Sequence, residues 1–148
     1  LCMKLTLRTP VSAPLRSVWE GFDESLFKKL SPPFPPVKLV RFDGSHTGDL
    51  VSLELNFILF KQNWTSRIAD QRETEEEIYF IDEGTRLPFF LSFWRHKHRL
   101  IRQQTGGTLI ADEIEYRTPF LLFDYLMYPV LWAQFAYRKP IYRRIFAG

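Results

Sequence analysis

The sequence is poor in cysteine and contains no long uninterrupted apolar run. Cys2 is the single cysteine, so no disulfide can form within the chain, which favours a reducing compartment. The start, LCMKLTLRTP, lacks the apolar core of a signal peptide, and we therefore expect a cytoplasmic location. The most hydrophobic segment, residues 120–137, is interrupted by Asp124, Pro129 and Gln134. It predicts a buried helical region and no stable membrane insertion.

Charge of one sign is scarce as well. The formal net charge is only +3, far from the basic stripe typical of nucleic-acid binders, so we expect no nucleic-acid partner. The 148 residues suit one domain, 1–148, with a core of its own. The sequence is rich in aromatic residues: its 14 Phe, 6 Tyr and 4 Trp are more than the packing of a helix on a sheet requires. This excess predicts an enclosed cavity of at least ~300 Å³, the lower end for small-molecule sites.

Helical and strand-like segments follow each other in an order typical of an α+β domain. Residues 3–9 predict a strand closed by Pro10, and residues 12–30 predict one or two short helices with Ser12 as the N-cap. After the proline-rich break SPPFPPV come six strand segments: VKLVRF, DLVSLELNF, LFKQNWTSRIA, EEIYFID, PFFLSFWRHKHRLI and TLIADEIEY. The short turns between them predict an antiparallel meander, and the chain from Pro119 onward predicts helix.

The alternation in LSFWRHKHRLIRQ, residues 91–103, indicates which side chains face the interior. Successive strand residues point to opposite faces, so His96 and His98 share one face while Lys97 points to the other. The QQTGG hairpin predicts that opposed residue numbers sum to 210 or 212, which sets Lys97 opposite Glu113 or Glu115 on a charge-paired outer face. The candidate ligand-binding residues on the inner face are Trp64, Phe80, Trp94, His96, His98, Asp112, Ile114 and Tyr116.

Three segments carry a resemblance to a known superfamily. They are YFIDEGTRLPFFLSFWRHKHRL, ADEIEYRTP and FAYRKPIYRRIF, with a W-x-H-x-H strand followed by a D-x-I-x-Y strand. Together they resemble a bacterial polyketide cyclase/dehydrase-like branch of the START/birch-pollen-allergen superfamily. The resemblance implies the helix-grip fold: a curved antiparallel sheet of about seven strands around a long C-terminal helix. It also implies a cavity between sheet and helix that binds an apolar or amphipathic small molecule.

The inner polar residues admit more than one function. They could recognise the polar end of a ligand, or serve a cyclase, dehydratase or hydrolase with His96 or His98 as base beside Asp112. A third alternative is an interaction domain with a filled interior and no ligand, in which the same groups are a satisfied structural pair. A metal triad of His96, His98 and Asp112 has no independently placed third histidine or glutamate, so we expect no metal and no cofactor.

Asp112 is the acidic residue that the alternation places on the inner face of its strand. An ionised carboxylate in an aromatic interior is costly unless it is paired. We therefore expect Asp112 to contact a histidine, with His98 favoured by the pairing sum, and to raise the pKa of that histidine.

Basic and apolar residues are interspersed in the C-terminal segment. Arg138, Lys139, Arg143 and Arg144 suit the dipole of a final helix and a solvated face. Trp132 and its apolar neighbours predict core packing, although an exposed share of them could pair two copies into a homodimer.

Overall fold

The computed structural model describes residues 2–147, and the elements follow the predicted order. The strands are β1 (Met3–Val11), β2 (Val37–Phe42), β3 (Leu50–Asn56), β4 (Lys61–Glu73), β5 (Glu77–Arg86), β6 (Phe93–Arg102) and β7 (Thr108–Arg117). The helices are α1 (Leu15–Glu20), α2 (Glu24–Lys29), α3 (Leu121–Ala136) and α4 (Arg138–Ile145). Tyr137 joins α3 to α4, so the long C-terminal helix consists of two consecutive segments.

The strands form one antiparallel sheet in the order β1-β7-β6-β5-β4-β3-β2. Each strand from β2 to β6 pairs with the next strand along the chain, which confirms the predicted meander. β1 pairs with β7 and forms one edge of the sheet. The α+β helix-grip architecture is therefore confirmed. β-Bulges interrupt the register of β2 with β3 and of β4 with β5.

The last hairpin adopts the first of the two predicted registers. His98 lies opposite Asp112, and Lys97 lies opposite Glu113, so opposed residue numbers sum to 210. On the outer face Arg99 Nη1 donates to Glu113 Oε2 at 2.9 Å, and Arg95 lies 3.8 Å from Glu115. The predicted charge pairing on this face is confirmed.

The first third of the chain differs from the sequence prediction at two points. β1 continues through Pro10 to Val11 instead of ending at the proline. It is an edge strand, where a missing backbone N–H need not interrupt a ladder. The N-cap position of α1 is Pro14, not Ser12, whereas α2 has a side-chain cap because Asp23 Oδ1 accepts the Leu26 N–H at 2.9 Å.

The helices cover only part of the sheet's inner side. α3 and α4 pack mainly against β1 and β7, and α1 packs against β5 and β6. One buried cluster joins α1, α2 and α4 to the sheet around Val18, Phe22 and Tyr142; a second joins α3 to it around Trp94 and Phe135. The inner sides of β2, β3 and β4 are left largely uncovered by helix.

The outer side of α3 was predicted wrongly as buried. Trp132 is 50% exposed and Leu122 is 67% exposed, because the helix is apolar on all sides while only one side meets the sheet. None of the helices among residues 2–147 combines the length and the apolar character needed to span a membrane.

Candidate functional site

A cavity of about 610 Å³ lies between the inner side of the sheet and α3, and it is partly open to solvent and not enclosed as predicted. Its walls come from β2 to β6, from α2 and the proline-rich segment that follows it, and from the inner side of α3. This volume lies within the range of about 300–1,000 Å³ typical of small-molecule sites. The proline-rich segment, predicted from its sequence as a turn, therefore also forms part of the cavity wall.

Most of the wall is aliphatic or aromatic, and several rings are held in fixed orientations. Trp64 and Trp94 meet edge to face with ring centroids 4.7 Å apart, and Trp94 lies 6.0 Å from Phe135 of α3. Phe80 stacks on His98 at 4.1 Å. Such rings offer flat, rigid surfaces that favour an apolar and preferably planar ligand.

Two histidines and two aspartates form a buried polar group at the cavity wall, the His–Asp cluster (Asp82, His96, His98 and Asp112). The two imidazoles stack with centroids 3.5 Å apart. His98 Nε2 hydrogen-bonds Asp82 Oδ2 at 2.7 Å, and His96 Nε2 hydrogen-bonds Asp112 Oδ1 at 2.8 Å. The other ring nitrogens lie 3.7 Å (His96 to Asp82) and 3.8 Å (His98 to Asp112) from the second carboxylate. The carboxylates therefore bracket the stacked rings from opposite sides.

Both carboxyl groups of the cluster favour the ionised form. Burial alone would raise the pKa of Asp82, but hydrogen bonds from His98 and from the Trp94 indole, together with the positive potential of the imidazoles, lower it overall. The pKa of Asp112 is likewise lowered, against the effect of burial, chiefly by the hydrogen bond from His96, with a contribution from the Arg138 charge. An ionised carboxylate can only accept, so each bonded imidazole nitrogen donates its N–H.

The predicted effect on the histidine was wrong for His98. Burial, followed by the positive potential of His96, lowers the pKa of His98 to about 4, and the attraction of the two aspartates does not compensate. A carboxylate partner alone would raise the histidine pKa, but desolvation of the buried ring disfavours a charged imidazole and outweighs it. The His98 ring is consequently neutral at pH 7.

The expected contact between Asp112 and a histidine is present, but the hydrogen bond goes to His96 and not to His98. Backbone register does place Asp112 opposite His98. Side-chain torsions then direct each carboxylate to the diagonal histidine: Asp82 lies opposite His96 and bonds His98. Diagonal partners two residues away are within reach across a sheet, and register alone does not choose between them.

Asp82 is a site residue that the sequence argument missed. It shares the parity of Ile78 and Phe80 on β5, lines the cavity, and keeps 15% of its side chain exposed. Together with His96 and His98 it presents ligand atoms that lie within 4.8 Å of one another, enough to hold a metal ion. The prediction of no metal counted histidines and glutamates and overlooked this aspartate.

Arg138 was assigned to a solvated face, and this was wrong. Its guanidinium lies 4.4 Å from the centroid of the Phe135 ring, and its side chain lines the cavity. Within residues 2–147, Nη1 of Arg138 is buried without a hydrogen-bond partner, and so is the hydroxyl of Tyr142, whose pKa is raised by burial. The Arg138 guanidinium opposes that rise in pKa, so the two buried groups lie beside each other.

The eight candidate ligand-binding residues divide into two groups. Those that line the cavity are Trp64, Phe80, Trp94, His96 and His98. Asp112, Ile114 and Tyr116 are buried behind this surface. Asp112 holds His96 from behind, and the Tyr116 hydroxyl donates to the backbone oxygen of Asp124 at the start of α3. These three residues support the site from β7 and do not form its wall.

The chain has the helix-grip fold that the resemblance implied. No family model matches the chain, and no curated protein matches it in sequence. The similarity to solved structures is instead one of fold, at low sequence identity.

Three solved structures illustrate this similarity. The Zhui aromatase/cyclase from Streptomyces sp. R1128 has 13% identity and a TM-score of 0.69, with 95% of this chain and 90% of that chain covered. Norcoclaurine synthase from Thalictrum flavum, in complex with dopamine and hydroxybenzaldehyde, has 11% identity and a TM-score of 0.63, with 92% and 83% covered. Ara h 8.0201 has 12% identity and a TM-score of 0.58, with 95% and 97% covered.

Proposed function

We propose that this protein binds an aromatic or otherwise largely apolar small molecule with an oxygen-bearing polar end. The observation that carries the proposal is a cavity of about 610 Å³ with a mostly apolar wall that also includes Asp82, His96, His98 and Arg138. That combination is typical of ligand sites, in which apolar surface supplies affinity and a few polar groups set orientation. A filled interior, as in an interaction domain without a ligand, does not fit this volume.

The apolar wall would supply most of the binding free energy. Each Å² of apolar ligand surface removed from water contributes about 25 cal/mol. Trp64, Trp94 and Phe80 already hold each other or a neighbour in place through ring contacts, so little side-chain ordering is required when the ligand enters. Flat faces at these positions favour fused or substituted rings over branched aliphatic chains.

The polar end would be recognised by a donor and an acceptor. Asp82 is ionised and can accept a hydrogen bond from a hydroxyl group of the ligand. The Arg138 side chain lines the cavity, and its positive charge would favour a carbonyl or carboxylate oxygen. Leaving such groups buried and unpaired is unfavourable, so a ligand without a polar end should bind more weakly than one that has it. Two of the similar structures support an aromatic ligand, since one is an aromatase/cyclase and another holds dopamine and hydroxybenzaldehyde.

A second candidate function is catalysis with His98 as base. The specific observation in its favour is the Asp82–His98 hydrogen bond at the cavity wall, with an imidazole that is neutral at pH 7. A carboxylate that orients a neutral imidazole is a frequent arrangement for general-base chemistry. Because Nε2–H donates to Asp82, the basic lone pair is on the buried Nδ1, and catalysis would require the ring to turn this nitrogen toward the substrate. Conversion of the bound compound during incubation, followed by mass spectrometry, separates this function from binding alone.

The proposal is tested with 2-naphthol, a fluorescent ring system that carries one hydroxyl. We expect saturable binding of one molecule per chain. Ser66 lines the cavity, and Ser66→Phe should fill part of it and weaken binding at least tenfold. The matched control is Arg67→Phe, on the exposed face of the same strand, which should leave the affinity within twofold. Equal effects of the two substitutions, or no saturable binding by the wild type, would contradict the proposal.

The natural ligand is best sought in the protein as purified. Native mass spectrometry should detect an additional mass of one small molecule per chain, and the same mass should be absent from Ser66→Phe. Extraction and fragmentation then identify its chemical class.

A further inference from the structure

We propose that Asp82, His96 and His98 form a binding site for a divalent transition-metal ion, with its open coordination positions facing the cavity. Two imidazole nitrogens and one carboxylate on one side of a metal ion form the facial arrangement that suits Fe²⁺ or Zn²⁺. This inference goes beyond small-molecule binding and does not depend on it.

The spacing of the candidate ligand atoms fits such an ion. A metal about 2.1 Å from each ligand requires ligand atoms roughly 3.0–3.5 Å apart. Asp82 Oδ2 lies 2.7 Å from His98 Nε2 and 3.7 Å from His96 Nδ1, so the two distances bracket this separation. All three ligand atoms lie within 4.8 Å of one another. Because the two imidazoles are stacked, their rings would have to rotate for both nitrogens to point at one ion.

The surrounding residues supply the support that metal ligands need. If His96 binds through Nδ1, its Nε2–H already donates to Asp112 Oδ1 at 2.8 Å, which fixes the tautomer and the ring orientation. The second oxygen of Asp82, Oδ1, accepts the Trp94 indole N–H at 3.1 Å, which leaves Oδ2 for the metal. Both ligand types are therefore held from behind by a specific hydrogen bond.

A further observation concerns the second nitrogen of His98. Nδ1 is buried and has no hydrogen-bond partner within the described part of the chain, a state that requires an explanation in a buried polar cluster. Binding of a metal through Nε2 would transfer the ring proton to Nδ1, which lies 3.8 Å from Asp112 Oδ1. A small rotation of the ring would then let Nδ1 donate to the same carboxylate that holds His96.

The remaining coordination positions would face the cavity, because the three ligands come from one wall of it. An oxygen atom of a bound small molecule could occupy one of these positions. The protein would thus bind a ligand that carries a hydroxyl or carbonyl group through the metal as well as through the wall.

The test uses Co²⁺ alone, because its visible absorption bands report its coordination. Apo protein, treated with EDTA and dialysed, is titrated with Co²⁺ and the bands and heat are recorded. We expect one ion per chain, and loss of both signals in His96→Gln and in Asp82→Ala. His46→Gln is the matched control. His46 is the one histidine outside the proposed site, is exposed, and lies in the loop between β2 and β3. It should bind as the wild type does.

Asp112→Asn sharpens the test. Asp112 contacts the histidines and is not itself a proposed ligand, so the substitution should weaken Co²⁺ binding by about 10- to 100-fold without abolishing it. Circular dichroism establishes that each variant is folded. No stoichiometric binding of millimolar Co²⁺ by the folded wild type would overturn the proposal, as would binding lost in His46→Gln and kept in His96→Gln. Because 2-naphthol binding is measured on the metal-free protein, failure of one proposal is distinguishable from failure of the other.

Discussion

Charged and polar side chains connect β5, β6 and β7 on both faces of the sheet. On the outer face, Arg99 donates to Glu77 at 2.7 and 2.9 Å and to Glu113 at 2.9 Å. On the inner face, His98 donates to Asp82 at 2.7 Å and His96 donates to Asp112 at 2.8 Å. The hydrogen bonds are equally short. What differs is exposure: 29% of the Arg99 side chain is accessible to water, against 3% for His98.

This difference in exposure decides what the two sets of contacts contribute. Exposed ion pairs gain little over hydration and are screened by salt, so each contributes about 0–1 kcal/mol to stability. A buried pair carries a large desolvation cost, and removing one partner leaves the other unpaired in a medium of low polarity. The outer pairs favour the register of the sheet. The inner pairs hold unusual protonation states beside a cavity, as functional sites often do.

The largest expected effect is the loss of stability in acid. Burial holds the pKa of His98 at about 4, below its ordinary 6.5, so between these values the unfolded chain binds a proton that the folded chain does not. The free energy of unfolding should therefore fall as the pH is lowered from 6.5 to 4, by up to about 3 kcal/mol. The lowered pKa values of Asp82 and Asp112 add a further loss below the ordinary aspartate pKa.

Urea denaturation of EDTA-treated protein at several pH values measures this loss. His98→Gln should flatten the dependence between pH 6.5 and 4, whereas the exposed His46→Gln should retain it. A wild-type stability that stays constant across this interval would show that His98 is protonated in the folded chain as readily as in the unfolded one.

The next effect in size comes from breaking one inner pair without changing its shape. Asp112→Asn removes the carboxylate charge beside His96 and should lower the free energy of unfolding by about 2–3 kcal/mol at pH 7. Asn can still accept one hydrogen bond, so the loss should stay below that of a full truncation. If urea denaturation shows that the free energy of unfolding changes by less than 0.5 kcal/mol, the inner pair contributes no more to stability than the outer pairs do.

A smaller effect is expected for the strongest outer pair. Arg99→Met keeps most of the apolar stem and removes the hydrogen bonds to Glu77 and Glu113, and should cost about 1 kcal/mol. Sodium chloride at 1 M should reduce the difference between wild type and variant, because the pair is partly exposed. A loss above 2 kcal/mol that salt does not change would remove the distinction between the two faces.

The arrangement of the sheet followed closely from the sequence. Period-two alternation separated Lys97 from His98, and the short QQTGG turn limited the register to two choices, one of which is present. Periodicity and turn length are local properties that a sheet must respect. They also placed five of the eight candidate residues on the cavity wall.

The features of the site that the sequence did not predict depend on side-chain torsions and on elements that are distant in the chain. The predicted strand EEIYFID ends at Asp82, whereas β5 continues to Arg86, so Asp82 lies within the strand and on its inner face. The diagonal pairing of Asp112 with His96 is a torsional choice that register leaves open. Arg138 lines the cavity at the start of α4, directly after Tyr137, and helix periodicity does not indicate this junction. The homodimer suggested by Trp132 stays a prediction for light scattering to test.

The central claim is that the inner face of β6 recognises the polar end of a small molecule whereas the outer face does not. Neighbouring residues provide the matched pair: His98 lines the cavity, and Lys97 points outward, 4.4 Å from the centroid of the Tyr79 ring. The most direct measurement is the ratio of affinities for 2-naphthol and for naphthalene, which differ by a single hydroxyl, in the metal-free protein.

We expect the wild type to prefer 2-naphthol about tenfold, the value of one net hydrogen bond of about 1.4 kcal/mol. His98→Ala should remain folded and lose most of this preference, because Asp82 loses the hydrogen bond that orients it. Lys97→Ala should keep the wild-type ratio. A ratio near one in the wild type, or the same change of ratio in both variants, would contradict the account.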